Sequence, residues 1–267
     1  MPFLKNLLDI LQFQMETPTL YSKFHIVSLA ACFLCAIIGI IFCPKPREST
    51  VRRVLLISSL VVIALEVYKQ IVFTFSFGET GLIIDYKWYA FPFQFCSTPM
   101  YVSLAAARVR HSKIHRSLCA YLATFSLFAG LAVMFYPSTV FTQFLGINIQ
   151  TMVCHGVMVS LGIYLLFTGY VQPKFRTLLR ALPVFMTLIA VAMVMNEIAY
   201  RVELVETETF NMFFISPYCE PSLPVYSLVQ AVVPFPWSVA IYIFCFSLAA
   251  GIVLALAALI KSRLRRK

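Results

Sequence analysis

Seven apolar stretches, at about 24–43, 54–75, 90–108, 117–136, 150–171, 177–199 and 234–260, constrain what this chain can fold into. Each is close to the ~20 residues a helix needs to cross a hydrocarbon layer ~30 Å thick. A segment at that depth must also satisfy its own backbone hydrogen bonds, which favours helices. With 61% apolar and 12% charged residues, the chain has too little polar surface to cover a soluble globule of 267 residues. The expected fold is all-α, a polytopic seven-helix transmembrane bundle over residues 21–267. Ahead of it, within residues 1–20, Leu4, Leu7, Leu8, Leu11 and Met15 share one helical face and Lys5, Asn6, Asp9 and Gln12 the other, the pattern of an interfacial amphipathic helix.

The net charge of +10 is dispersed in short basic clusters between the apolar stretches, an arrangement suited to orientation in a bilayer and not to nucleic acid. Four lysines and arginines lie in 44–53, four after the third stretch, three after the fifth and five in the tail, sixteen in all. The opposite side holds only Lys5, Lys23, Lys87 and Arg201, with eight acids: Asp9, Glu16, Glu79, Asp85, Glu203, Glu206, Glu208 and Glu220. This bias places the N-terminus outside and the C-terminus in the cytoplasm, which requires an odd number of spans. The long segment 201–233 turns aromatic and proline-rich from Phe210 to Tyr218, as expected of a cap inserted over the outer end of the bundle. The eight cysteines lie mostly within apolar runs and suggest neither a disulfide framework nor a metal site, and no cofactor is expected.

Polar side chains inside spans usually face the bundle interior. Measured from the outer ends at the rise of a helix, Cys96 lies ~9 Å deep, His155 ~8 Å, Lys69 ~9 Å, and Asn196 with Glu197 ~5–8 Å, with Glu66 one turn further in. Glu66 and Lys69, three apart, form a mutually neutralising pair or line a cavity. His155, taken as the only histidine within a span, requires a partner from another helix, and Glu197 is the candidate to orient it. Cys96 becomes a nucleophile if His155 takes its proton, a constellation suited to acyl transfer on lipid at the outer interface. Gln94 and Asn211 supply amide donors to an oxyanion or satisfy the backbone where the third span begins. Two functions stay open: lipid acyl transfer through Cys96 and His155, or binding and transport of a small ligand, ion or lipid headgroup in a cavity lined by Glu66, Lys69, His155 and Glu197.

Four short motifs carry a resemblance: Pro92-Phe93-Gln94-Phe95-Cys96, His155-Gly156, Asn211-Met212-Phe213 and Pro234-Phe235-Pro236-Trp237, joined by Glu66-x-x-Lys69. Together they resemble the YwaF family of bacterial integral membrane proteins, whose distant animal relatives are proposed to be cysteine-dependent phospholipid acyltransferases. The resemblance covers about residues 54–260. It implies a bacterial cytoplasmic membrane, membrane lipids as partners and a lipid or small molecule as ligand. Gln94 stands where that pattern has a histidine, and an amide cannot act as a base.

Overall fold

A computed structural model describes residues 2–79, 81–137, 139–203, 210–220 and 223–264. Glu206, Glu208 and part of the expected cap, together with Arg265, Arg266 and Lys267 of the basic tail, lie outside the described residues. The fold is an all-α membrane bundle. Among the described residues six helical segments are long and apolar enough to cross a membrane: α2 (Lys23–Phe42), α3 (Glu48–Thr74), the continuous Ser112–Phe135, α7 (Leu145–Phe167), α8 (Phe175–Arg201) and α10 (Trp237–Leu264).

The third expected span differs from the others. Only α4 (Thr98–Arg108) is helical, and eleven residues rise about 16 Å, roughly half the hydrocarbon layer. Pro99 in its first turn is compatible with a helix start and not with an interior position. The remainder is an irregular lead-in from Trp88 to Ser97 that opens with a single 3₁₀ turn, Trp88–Ala90. Irregular backbone at membrane depth persists only where protein surrounds it, and Phe95 and Ser97 are buried accordingly.

The other end of α4 is held by Arg52 on α3. Its Nη1 donates to the carbonyls of Ala106 (3.1 Å), Ala107 (3.1 Å) and Val109 (2.7 Å), the groups a helix leaves unpaired at its C-terminus. The span Ser112–Phe135 consists of α5 (Ser112–Tyr121), a π turn at Leu122–Ser126 and α6 (Leu127–Phe135). Gly162 of α7 lies so near α6 that an added Cβ would be 2.7 Å from Leu127 Cβ, and one on Gly130 of α6 would be 2.9 Å from Met158 Cβ. Small residues permit this approach, as they do in membrane bundles generally.

Helix α1 (Pro2–Leu11) buries Leu8 and lies across the end of α3, where Tyr68 Oη donates to Leu11 O (2.6 Å) and Gln12 Nε2 to Val72 O (2.9 Å). Two elements fall where the sequence suggests loops. Strands β1 (Phe75–Gly78) and β2 (Gly81–Ile84) form an antiparallel hairpin, with Phe75 opposite Ile84 and Gly81 at a positive φ of 125° that a side chain disfavours. Helix α9 (Pro224–Val232) lies within the expected capping loop. The hairpin and residues 210–220 share one end of the bundle, called here the cap end, and Glu48, Arg52, Arg108 and Lys113 mark the opposite, basic end. An aromatic core links the lead-in, the π turn, α8, α10 and the cap: Phe125 stacks on Phe185 at 4.3 Å, and Phe95 meets Phe213 at 5.2 Å and Phe246 at 5.3 Å.

Candidate functional site

The lead-in is fixed first by its own backbone and then by amides from other elements. Gln94 Nε2 donates to Asn211 O at 3.1 Å, and its Oε1 accepts from Phe213 N at 3.3 Å. Asn196 of α8 grips the same segment on both sides of one residue, with Nδ2 donating to Met212 O (3.1 Å) and Oδ1 accepting from Met212 N (2.8 Å). Asn211 Oδ1 accepts from Ser216 N at 2.9 Å. Met212 and Phe213 are fully buried, so their main-chain groups depend on these amides. Gln94 thus ties the cap segment to the lead-in, Asn196 ties it to α8, and Asn211 closes a turn within it.

Beneath that seat lies the ionisable cluster. Lys69 Nζ is 2.8 Å from Glu66 Oε1, with side chains 14% and 7% exposed. Gln70 Nε2 donates both to Glu66 Oε1 and to Ala90 O, each at 2.8 Å, tying the carboxylate to the lead-in. The Lys69 charge is near enough to act electrostatically on the Cys96 and Cys154 thiols and on the His155 ring, which places groups of α3, α7 and the lead-in in one neighbourhood. Cys96 is half-buried, with part of its surface accessible. A cavity of about 10 Å³, lined by Ser58, Cys96, Ser103, Ser126 and Cys154 among others, continues beyond it; this is close to the smallest space that admits a water.

The histidines provide an internal comparison. Three are buried among the described residues: His25, His115 and His155. His155 is thus not the only one within a span: His25 already falls inside the first expected stretch, and α5 begins early enough to include His115. His25 Nε2 donates to Met134 O (2.7 Å) and its Nδ1 accepts from Tyr21 N (2.9 Å). His115 Nδ1 donates to Ala106 O (2.8 Å) and its Nε2 meets Tyr170 Oη at 2.6 Å. Both are satisfied structural histidines. In His155 only Nδ1 is engaged, 2.7 Å from the carbonyl of Thr151, and buried Nε2 has no hydrogen-bond partner. A carbonyl cannot donate, so Nδ1 carries the proton and neutral Nε2 presents a lone pair.

Glu197 is elsewhere. Its carboxylate accepts from Arg201 Nε at 2.6 Å and from the Tyr218 hydroxyl, on the exposed flank of α8 at the cap end. It therefore orients no imidazole, and the expected four-residue cavity of Glu66, Lys69, His155 and Glu197 does not form as one space. Tyr218, which stacks on Tyr200 at 3.8 Å, is held above the ordinary tyrosine range by that hydrogen bond. Gln70, Cys154 and Ser126 join the cluster without having been singled out by sequence. Gln70 is one turn from Glu66, and the depth comparison that found His155 extends to Cys154 beside it. Ser126 depends on the π turn, which no sequence pattern announces. No group of three or more His, Cys, Asp or Glu among the described residues is placed to hold a metal ion.

Comparison with known proteins overturns the resemblance to the YwaF family. The family profile that matches is that of the TMEM164 family, over residues 20–258, nearly the whole chain. The motifs behind the earlier resemblance are two to five residues long and combine apolar residues with single polar ones, a composition common in membrane bundles. A bacterial membrane was implied by that resemblance alone and falls with it. Searches of curated proteins and of solved structures return no match. The chain is a multi-pass membrane protein and belongs to the TMEM164 family.

Proposed function

We propose that the protein transfers acyl groups between membrane lipids, with Cys96 as nucleophile and His155 as base. The observation that carries this reading is His155 Nε2, a buried lone pair with no hydrogen-bond partner in the same Lys69-centred cluster as an accessible thiol. Leaving such a group unpaired costs about 1–3 kcal/mol, and an unsatisfied buried polar atom calls for an explanation such as catalysis. His25 and His115 show that the fold can satisfy buried histidines fully.

In the proposed reaction Cys96 gives its proton to His155 Nε2 as its sulfur attacks the ester carbonyl of a donor lipid. The tetrahedral oxyanion lies near the Lys69 ammonium, which can donate to it while keeping its contact with Glu66. Collapse breaks the carbon–oxygen bond, His155 returns the proton to the leaving alkoxide, and a lysolipid departs. An acceptor hydroxyl then loses its proton to His155, attacks the thioester and releases the thiolate, which recovers the proton. The charge distribution of the loops puts the cap end outside, so donor and acceptor enter from the outer leaflet.

The test uses the full chain in lipid nanodiscs containing phosphatidylcholine with a labelled acyl chain. A hydroxylamine-sensitive adduct on Cys96 is expected, absent in Cys96→Ala and formed about 10²–10⁴ times more slowly in His155→Ala. An unlabelled Cys96, or transfer that persists unchanged in Cys96→Ala, would overturn the assignment.

A further inference from the structure

A much larger cavity lies outside this cluster. A groove of about 620 Å³ runs between α2, α3 and α7, from Phe24 near the cap end to Cys43 and Thr50 at the basic end. Phe24 and Cys43 are nineteen residues apart, about 28 Å along a helix. The floor includes the buried Cys32, Met152 and Leu161, and the rim the exposed Val27, Ile38 and Val153. Ser58, Val157 and Leu161 line both the groove and the small cavity beside Cys96, so the two spaces share a wall.

Shape and surroundings select the occupant. All three helices are long and apolar enough to cross a membrane, so the rim meets lipid tails. A volume of 620 Å³ distributed over about 28 Å, counted for the centres of water-sized atoms, corresponds to a channel about 8 Å between its walls, narrower than a helix with its side chains at about 10–12 Å. The lining is almost wholly apolar, with isolated hydroxyls such as Ser58 and Ser160 and no charged side chain.

We infer that this groove holds a single acyl chain of a membrane lipid, its ester toward the Cys96 wall and its methyl end toward Gly39 and Tyr164, which limit the chain length accepted. The direction of the chain rests on the acyl-transfer reading; its presence does not. Gly39 lies against the Tyr164 ring, and a Cβ there would be 3.4 Å from Tyr164 Cδ2, an ordinary contact. A larger side chain at Gly39 therefore extends into the groove. Tyr164 is buried, and truncating it opens space in the same place.

The experiment places the full chain in nanodiscs containing phosphatidylcholine with a photoreactive group at the methyl end of one chain, in a graded series of chain lengths. Adducts are mapped by mass spectrometry, in the parent protein and in Cys96→Ala. Expected is a concentration of adducts on residues 35–43 and 160–164, strongest at one chain length and preserved in Cys96→Ala. Gly39→Leu shifts the optimum to shorter chains and Tyr164→Ala to longer ones; if Gly39→Leu does not fold, Gly39→Ala gives a smaller shift of the same sign. Adducts spread evenly over the lipid faces of α8 and α10, an optimum unmoved by these variants, or cross-links from a second copy seated in the groove would each overturn the inference. A groove labelled in the middle and not at its basic end would overturn the direction. Loss of the thioester result with retention of the groove pattern would sink the acyl-transfer reading and leave the lipid site standing.

Discussion

A carboxylate and an ammonium buried together are tolerable only as a pair. Glu66 and Lys69 are 2.8 Å apart and nearly excluded from solvent, so removing one strands the other. Lys69→Met is expected to destabilise by about 3–5 kcal/mol, and the double variant Glu66→Gln/Lys69→Met by clearly less, measured as unfolding in detergent. Equal loss in single and double variants would show that the two do not act as a unit. Asn196 offers a neutral counterpart. Asn196→Leu abandons the buried N–H and C=O of Met212, at about 1–3 kcal/mol each. Amide hydrogen exchange should accelerate at 210–216 and remain unchanged in the middle of α7; unaltered exchange at 210–216 would refute the clamp. These residues also mark a limit of sequence reading. An amide at membrane depth signals that something polar faces it, either a ligand or, for Gln94 and Asn211, the backbone where the third span begins. Their partners are main-chain groups of an unwound segment, which side-chain identities do not reveal. His155 was legible as a costly residue, but its distinction from His25 and His115 rests on partners that only the fold supplies.

At the scale of elements, the irregular lead-in displaces half of a span, and α4 survives as a short helix because both its ends are secured. Thr98 Oγ1 donates to Phe95 O (2.9 Å) at one end and Arg52 fills the carbonyls at the other. Hydrogen bonds from a charged donor contribute about 1.5–3 kcal/mol each at most, with strong overlap among three that share one nitrogen. Arg52→Leu is expected to destabilise by about 2–3 kcal/mol and to accelerate exchange at residues 105–110; Arg52→Lys should recover only part, since an ammonium lacks the planar reach of a guanidinium. Full recovery in Arg52→Lys would indicate a role of charge alone. Hydropathy revealed the long spans because one bilayer thickness dictates their length, and it could not reveal where a span changes geometry. The π turn at Leu122–Ser126 alters only hydrogen-bond register, and the hairpin at 75–84 continues the apolar character of the helix before it.

For the molecule as a whole, orientation decides which leaflet Cys96 is nearer. Seven passages join the cap end to the basic end when α4 and its lead-in are counted with the six long helical segments, consistent with ends on opposite sides. Lysine and arginine are retained on the cytoplasmic side, so the sixteen-to-four bias predicts that the basic end lies inside. Two exposed positions report on this without touching the cluster: Glu220 at the cap end and Lys113 at the basic end. In intact cells a membrane-impermeant maleimide should label Glu220→Cys above the parent background and leave Lys113→Cys unlabelled until the membrane is permeabilised. The native Cys219 serves poorly for this purpose, because burial pushes its thiol up from its ordinary range and its Sγ donates to Phe210 O at 3.4 Å. The reversed labelling pattern would place Cys96 nearer the inner leaflet. Both lipids of the proposed exchange would then come from that side, while the internal geometry of Cys96, Lys69 and His155 would be unchanged.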